Sequence, residues 1–200
     1  KYKIGFTGDG MITAFDVHLY SNGGYANDLS TAVMGRAMCH AENAYFIPNI
    51  KIQGTVCKTN LPPNTAFRGF GGPQGMFVIE SAIARAASEI GVSARDIQRK
   101  NLFRYGDEFS FGQIVDRAHG EQAWDVANTQ YNFTQIEKEI AEFNAENKMF
   151  KKGMAVQPIC FGISFTNTPM NHARALVHIY QDGSIGISTG GVEMGQGLNT

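Results

Sequence analysis

The stretch Asn64-Thr-Ala-Phe-Arg-Gly-Phe-Gly-Gly-Pro-Gln-Gly75 holds one arginine between two phenylalanines in a glycine-rich run. An apolar repeat follows it directly and reaches Ile90, so the stretch is predicted to be a loop ending at a helix N-terminus. Pro73 suits the first helical turn, and the free amides of such a helix end attract anions. The alternative is a tight turn between a strand and a helix, with an arginine that is merely solvated.

Standard nucleotide-binding loops do not match this spacing. Gln74 stands where the third glycine of a dinucleotide fingerprint belongs, and no Gly-Lys-Ser/Thr follows. A second glycine-rich segment, residues 190–197, comes after a predicted strand and carries a glutamate and a glutamine. By itself such a segment is also typical of a hairpin bend. Two loops of this kind in one chain favour a large polar ligand held from both sides.

Composition limits the classes of function. The chain has 200 residues, 43% of them hydrophobic and 18% charged, which suits one domain or two small ones with a buried core. A net charge of -1 gives no reason to expect nucleic acid or a membrane surface as a partner. Three cysteines without CxxC spacing favour reduced thiols and a cytoplasmic location, and the five histidines lack metal-ligand spacing.

Hydrophobic periodicity predicts an α+β fold with mixed or mostly antiparallel sheets. The predicted strands cover residues 3–6, 12–20, 52–59, 154–165, 175–180 and 185–189. Helices are predicted for residues 28–43, for the apolar repeat that follows the loop and stops at Gly91, and for residues 93–103 and 134–150. Capping boxes at Ser93 and Thr134 open the last two. After Lys152 the hydrophobic pattern changes from a helical period to a strand period, which predicts a domain boundary near residue 150.

Three motifs resemble consecutive signatures of the molybdopterin-binding portion of the xanthine dehydrogenase and aldehyde oxidase family. They are Asn64 to Gln74, Gly162-Ile-Ser-Phe-Thr166 and Gly191-Val-Glu-Met-Gly-Gln-Gly197, and they occur in the family's order and rough spacing. The resemblance implies that residues 1–150, with the pocket loop 64–75, are the C-terminal part of a first molybdopterin-binding domain. Residues 151–200 would then begin a second one.

The resemblance also implies a cofactor and a reaction. The cofactor is molybdenum held by molybdopterin, with molybdopterin cytosine dinucleotide as a possible form. The reaction hydroxylates a carbon next to a ring nitrogen, takes oxygen from water and passes hydride to the sulfido ligand of molybdenum. Electrons then leave through 2Fe-2S clusters and FAD, which lie on other domains or subunits of a dimeric or hetero-oligomeric enzyme.

Site residues follow from the same resemblance. Residues expected to contact the cofactor are Ala66, Phe67, Arg68, Gly69, Met194, Gly195 and Gln196, with Arg68 near the molybdenum. Residues expected to contact the substrate are Arg36, Phe70, Phe165 and Thr166. The two phenylalanines would hold a flat ring, because aromatic pairs add about 0.5–1.5 kcal/mol beyond burial. Glu193 has no assigned role, and a structural contact is expected for it.

Arg36 distinguishes the substrates that this family uses. It precedes Arg68 by 32 residues, as an arginine does in xanthine dehydrogenases, where it neutralises charge developing on the purine. This favours hypoxanthine and xanthine. The alternatives are an aldehyde oxidase, a hydroxylase of another N-heterocycle such as nicotinate, or a non-catalytic scaffold or binding module. The family's general base is a glutamate that would lie beyond Thr200, so the 200 residues are expected to be an inactive fragment when isolated.

Overall fold

The computed structural model describes residues 1–200, which divide into two units, Lys1–Phe161 and Gly162–Thr200. The first unit contains the sheet β1 (Tyr2–Phe6), β2 (Ile12–Gly24) and β3 (Ile50–Lys58), in that order. Strands β1 and β2 form the predicted antiparallel hairpin. Strand β3 pairs with β2 in parallel, and the sheet is therefore mixed.

Helix α1 (Ser30–Cys39) makes this parallel pairing possible. Parallel neighbours require a crossover, and α1 carries the chain from the end of β2 back to the start of β3. Helix α1 is shorter than the predicted 28–43, because residues 40–44 form turns instead. Helix α2 (Gly72–Ile90) begins at the predicted loop and ends at Gly91, whose φ of 79° closes it in the left-handed conformation.

Three further helices complete the first unit. Helix α3 (Ala94–Lys100) is capped by Ser93, whose hydroxyl accepts from the Arg95 amide at 3.2 Å, as predicted. Helices α4 (Gly120–Tyr131) and α5 (Phe133–Glu146) follow a loop. The predicted Thr134 cap is wrong. Asn132, with φ 47°, ends α4 and accepts from the Gln135 amide at the start of α5.

The core of the first unit lies between the sheet and helices α2 and α3. Its largest fully buried apolar side chains are Ile12, Phe15, Val17, Tyr45, Ile79, Ile83 and Ile97. Each such side chain contributes about 1.5–3 kcal/mol relative to exposure. Trp124, the only tryptophan, is buried on α4 and packs edge-on against Phe133. The site loop therefore projects from a firmly packed scaffold.

The second unit is a hairpin of β4 (Ala175–Ile179) and β5 (Ile185–Thr189), with a short 3-10 turn at Thr168–Met170. Both hairpin strands were predicted. Residues 154–165, predicted as a strand, form none, because side chains instead of a neighbouring strand bind their backbone. No helix in the chain combines the length and apolar character needed to cross a membrane.

Candidate molybdopterin site

The loop before α2 is built from two successive tight turns. The Phe70 amide donates to the Phe67 carbonyl at 2.8 Å, and the Gly72 amide donates to the Gly69 carbonyl at 2.9 Å. Gly69 has φ 92° and Phe70 has φ 51°, a conformation that is uncommon for a bulky residue and recurs at functional sites. These bonds already use one of the helix-end amides that the sequence suggested for anion binding.

The first of these turns presents its first two residues to solvent. Phe67 is 81% exposed, and Arg68 is exposed with no hydrogen bond or ion pair anywhere in residues 1–200. A guanidinium offers five N–H donors in a fixed fork that matches oxyanions. The loop tip therefore combines an apolar face with a cationic donor set.

Glycines bring the loop against α1. A Cβ on Gly71 would overlap the Val33 carbonyl oxygen, and one on Gly75 would overlap the Ala37 carbonyl oxygen. Gly71 also has φ 100°, which L side chains rarely adopt. The start of α2 thus lies directly on the backbone of α1, the helix that carries Arg36.

Arg36 is only 4% exposed, in the last turn of α1. Its guanidinium carbon lies 5.3 Å from the centre of the Phe161 ring, and His40 Nδ1 donates to its carbonyl at 2.9 Å. Burial lowers the pKa of His40; the hydrogen bond to the Arg36 carbonyl opposes this, and the charge of Arg36 adds to it. The lowered pKa favours the neutral form of His40 at neutral pH, beside the cation.

A largely buried polar cluster joins the turn after α1 to α2 and α3. Glu80 accepts from Asn43 Nδ2 at 2.8 Å, Tyr45 Oη at 2.6 Å and Gln98 Nε2 at 2.8 Å. Asn43 and Gln98 also bind the backbone of residues 156–160, at Pro158 O, Cys160 N and Val156 O. We call these four side chains, Asn43, Tyr45, Glu80 and Gln98, the Glu80 clamp. It fixes the segment that leads to Phe161.

Of the residues predicted to contact substrate, Phe165 and Thr166 lie in the second unit. The backbone of Phe165 is bound on both sides by the Asn171 side chain, at 2.8 Å from its amide and 2.8 Å from its carbonyl. Thr166 is exposed. Asn171 thus holds the backbone from which the Phe165 ring projects.

The second glycine-rich loop is folded on its own side chains. Glu193 accepts from the amides of Gly195 at 2.5 Å, Gly197 at 3.2 Å and Asn199 at 3.1 Å. Some desolvation raises the pKa of Glu193, but these amide bonds outweigh it and lower the pKa overall. The role expected for Glu193, a structural contact, is confirmed.

Gln196 spans the same loop with both ends of its amide. Its Oε1 accepts from the Met194 amide at 2.6 Å, and its Nε2 donates to the Val192 carbonyl at 2.7 Å. An amide has two lone pairs and two N–H donors, so one of each remains for a ligand. Met194 is 58% exposed beside it, and Gly195 has φ 92°.

Each unit, taken by itself, offers groups that fit a pterin cofactor with an anionic part. In the first unit, the Arg68 guanidinium suits oxyanions and the exposed face of Phe67 suits a flat ring system. In the second unit, Met194 exposes an apolar surface and Gln196 offers both a donor and an acceptor. The histidines, cysteines and carboxylates of residues 1–200 form no group of three that could hold a metal ion directly.

Within the first unit, Arg36 and Gly72, the first residue of α2, share a neighbour. The Phe161 ring lies over Arg36 and also occupies the place that a Cβ on Gly72 would take. Phe161, His40 and the Glu80 clamp were not predicted from the sequence. The polar run from His40 to Asn43, placed between two apolar segments, was the available signal. A cavity of about 540 Å³ beside Phe109 and Trp124 involves none of the predicted site residues.

Sequence comparisons agree with this geometry. A family model described as a molybdopterin cofactor-binding domain matches residues 1–102, and a second of the same description matches residues 126–200. The whole chain is 49% identical to a xanthine dehydrogenase of Drosophila subobscura and 48% identical to a mouse xanthine dehydrogenase/oxidase. The chain spans 15% of the length of each of these relatives.

Solved structures share the fold. An aldehyde oxidoreductase from Desulfovibrio gigas matches 93% of this chain and 20% of its own, with a TM-score of 0.66 and 21% identity. A quinoline 2-oxidoreductase from Pseudomonas putida 86 matches 72% of this chain and 19% of its own, with a TM-score of 0.62 and 24% identity. The α+β prediction and the resemblance of the three motifs are both confirmed. The chain belongs to the molybdopterin cofactor-binding domain family.

Proposed function

We propose that this chain forms part of the substrate and cofactor site of a xanthine dehydrogenase-type oxidoreductase that hydroxylates hypoxanthine and xanthine. The observation that carries the proposal is the burial of Arg36 beside the loop of Arg68 and Phe70. The similarity to xanthine dehydrogenases along all 200 residues supports it. The chain would act within a longer enzyme, since it spans 15% of those relatives.

The cofactor side of the site would use both glycine-rich loops. Arg68 would lie near the molybdenum, with Ala66, Phe67 and Gly69 lining the same wall. Met194, Gly195 and Gln196 would contact the pterin, in its simple form or as the cytosine dinucleotide. When bound, the cofactor supplies the oxygen transfer and accepts two electrons from the substrate. We assign residues 1–150 to the first molybdopterin-binding domain and 151–200 to the second.

The substrate side would hold a planar purine. Phe70 and Phe165 would contact its ring, and Thr166 would offer a hydroxyl to a polar edge. Arg36 would stabilise negative charge as it develops on the purine, because a fixed buried guanidinium needs no reorganisation during the reaction. Its burial strengthens this effect, since few water molecules screen the charge.

The remaining parts of the reaction would lie outside these residues. A glutamate general base, 2Fe-2S clusters and FAD would be supplied by other domains or subunits, and the assembled enzyme would be a dimer or a hetero-oligomer. The three cysteines are unpaired thiols, which favours a reducing compartment such as the cytoplasm. The isolated 200 residues would therefore lack xanthine oxidation activity.

The test is Arg36→Met in the complete enzyme, with xanthine and an aldehyde as alternative substrates. Loss of one well-placed donor typically lowers kcat by about 100- to 1000-fold. We expect that loss for xanthine and a much smaller one for the aldehyde. Arg85→Met is the matched control, because Arg85 is exposed and pairs only with Glu89 on the same helix. Equal losses on both substrates would refute the purine assignment and favour an aldehyde or another heterocycle.

A further inference from the structure

Phe161 has an unusual position for a large apolar residue. It is 41% exposed, yet its ring contacts two polar side chains, one in the last turn of α1 and one just after it. The Arg36 guanidinium carbon lies 5.3 Å from its centroid, and the His40 ring centroid lies 4.7 Å away. The ring also lies against Gly72, where a Cβ would overlap it. Core burial does not explain this placement.

The backbone before Phe161 is fixed independently of the ring. The Cys160 amide donates to Asn43 Oδ1 at 3.3 Å, and Asn43 Nδ2 donates to the Pro158 carbonyl at 2.8 Å. Asn43 is itself bound to Glu80 at 2.8 Å and is 2% exposed. The Glu80 clamp therefore fixes the residues before Phe161 beside the turn that follows α1.

The ring in turn restricts Arg36. A cation over an aromatic face is attracted to it, and more strongly where both are desolvated. Arginine has several rotatable bonds, so an aromatic ring packed against its guanidinium would limit the positions that this group can take. The His40 ring packs against the same Phe161 ring, and burial favours its neutral form, which does not repel the cation.

We propose that Phe161 is a positioning residue that fixes the Arg36 guanidinium for purine binding and turnover. This inference rests on the proposed role of Arg36. Phe161 acts through Arg36 and contacts no reacting atom. Gly72 belongs to the same arrangement, because any side chain there would displace the ring.

A double-mutant cycle in the complete enzyme tests the proposal. The variants are Phe161→Leu, Arg36→Met and both together, each assayed for kcat and KM with xanthine and with an aldehyde. Phe161→Leu should lower kcat/KM for xanthine by about 5- to 30-fold, the range of a cation–π contact between a buried guanidinium and a partly exposed ring. In the Arg36→Met background it should change xanthine turnover less than twofold, roughly. Phe161→Tyr, which keeps the ring, should restore most of the activity.

Two further measurements separate positioning from folding. Xanthine binding to the cofactor-free enzyme, measured by calorimetry, should weaken in Phe161→Leu. Phe111→Leu is the control, because that ring is also about half exposed but stacks on Phe109. An equal loss from Phe161→Leu with and without Arg36, or equal loss on purine and aldehyde, would overturn the proposal. A large effect of Arg36→Met with none from Phe161→Leu would refute it and leave the proposed function intact.

Discussion

Gln98 donates through Nε2 both to Glu80 Oε2, at 2.8 Å, and to the Val156 carbonyl, at 2.9 Å. One side chain on α3 thus ties a carboxylate on α2 to a segment 58 residues further along the chain. Because 154–161 pairs with no strand, such side-chain bonds replace the ladder that would otherwise hold it.

Replacing Glu80 should destabilise the first unit strongly. Glu80→Leu would leave the Tyr45 hydroxyl and one N–H each of Asn43 and Gln98 without an acceptor, and unsatisfied buried groups cost about 1–3 kcal/mol each. We expect a loss of about 2–4 kcal/mol in the free energy of unfolding, measured by urea denaturation with Trp124 fluorescence. Glu89→Leu, which removes an exposed ion pair, should change it by less than about 1 kcal/mol. Similar losses of unfolding free energy in Glu80→Leu and Glu89→Leu would contradict a stabilising role of the Glu80 clamp.

Glu42 should make stability depend on pH. It is 1% exposed, and burial raises its pKa despite bonds from the Ser110 amide and hydroxyl, at 2.9 and 2.7 Å. A carboxyl with a raised pKa binds more protons in the folded state, so its contribution to stability falls as pH rises above the ordinary value of 4.5. Glu42→Gln keeps an acceptor for Ser110 and removes the charge.

The measurement is the difference in unfolding free energy between Glu42→Gln and the parent chain at several pH values. We expect the variant to gain stability relative to the parent as pH rises from about 5 to about 8. Taking the difference cancels the opposite contribution of His40, whose lowered pKa destabilises the chain as pH falls. A difference that stays constant with pH would show that Glu42 titrates normally.

Gly71→Ala should separate the loop from α1. The new Cβ would overlap the Val33 carbonyl, and φ 100° is strained for alanine, so we expect a loss of about 2–4 kcal/mol in unfolding free energy. Gly35→Ala, on the open side of α1 with no atom within 4 Å, should instead stabilise by about 0.5–1 kcal/mol. Tolerance of both substitutions would rule out the close helix contact.

Glu193→Ala should open the second glycine-rich loop. Hydrogen exchange of the 200-residue chain should show faster exchange at the amides of Gly195, Gly197 and Asn199, which lose their acceptor. Asp182→Ala is the control in the same unit, because it should affect only the turn amide of Ser184. Unchanged exchange at Gly195 would mean that the loop holds its shape without the carboxylate.

Local chemistry made much of the fold predictable. Gly91 and Ser93 act only on the residues beside them, and both ended or began helices as predicted. The loop from Asn64 to Gly75 was recognisable because its motif is contiguous. The family followed from three such motifs together.

Features that depend on distant residues could not be predicted. The parallel pairing of β3 with β2 depends on how α1 packs, which no local pattern records. Residues 154–165 have a strand-like hydrophobic pattern. Their backbone is bound instead by the side chains of Asn43 and Gln98, which lie more than 50 residues earlier in the chain, and these bonds take the place of a partner strand. Phe161 was missed for the same reason, since its neighbours Arg36 and Gly72 are far away in sequence.

The β4–β5 hairpin has a consequence for the cooperativity of unfolding. Its residues Leu176, Val177, Ile179, Ile185 and Ile187 are between 58% and 70% exposed. A two-stranded ribbon that buries so little apolar surface has only marginal stability of its own. The first unit should therefore melt as one transition, and the ribbon should fray at lower temperature. Circular dichroism of the 200-residue chain would then begin to change before Trp124 fluorescence does, and the two-state approximation would hold only for residues 1–161.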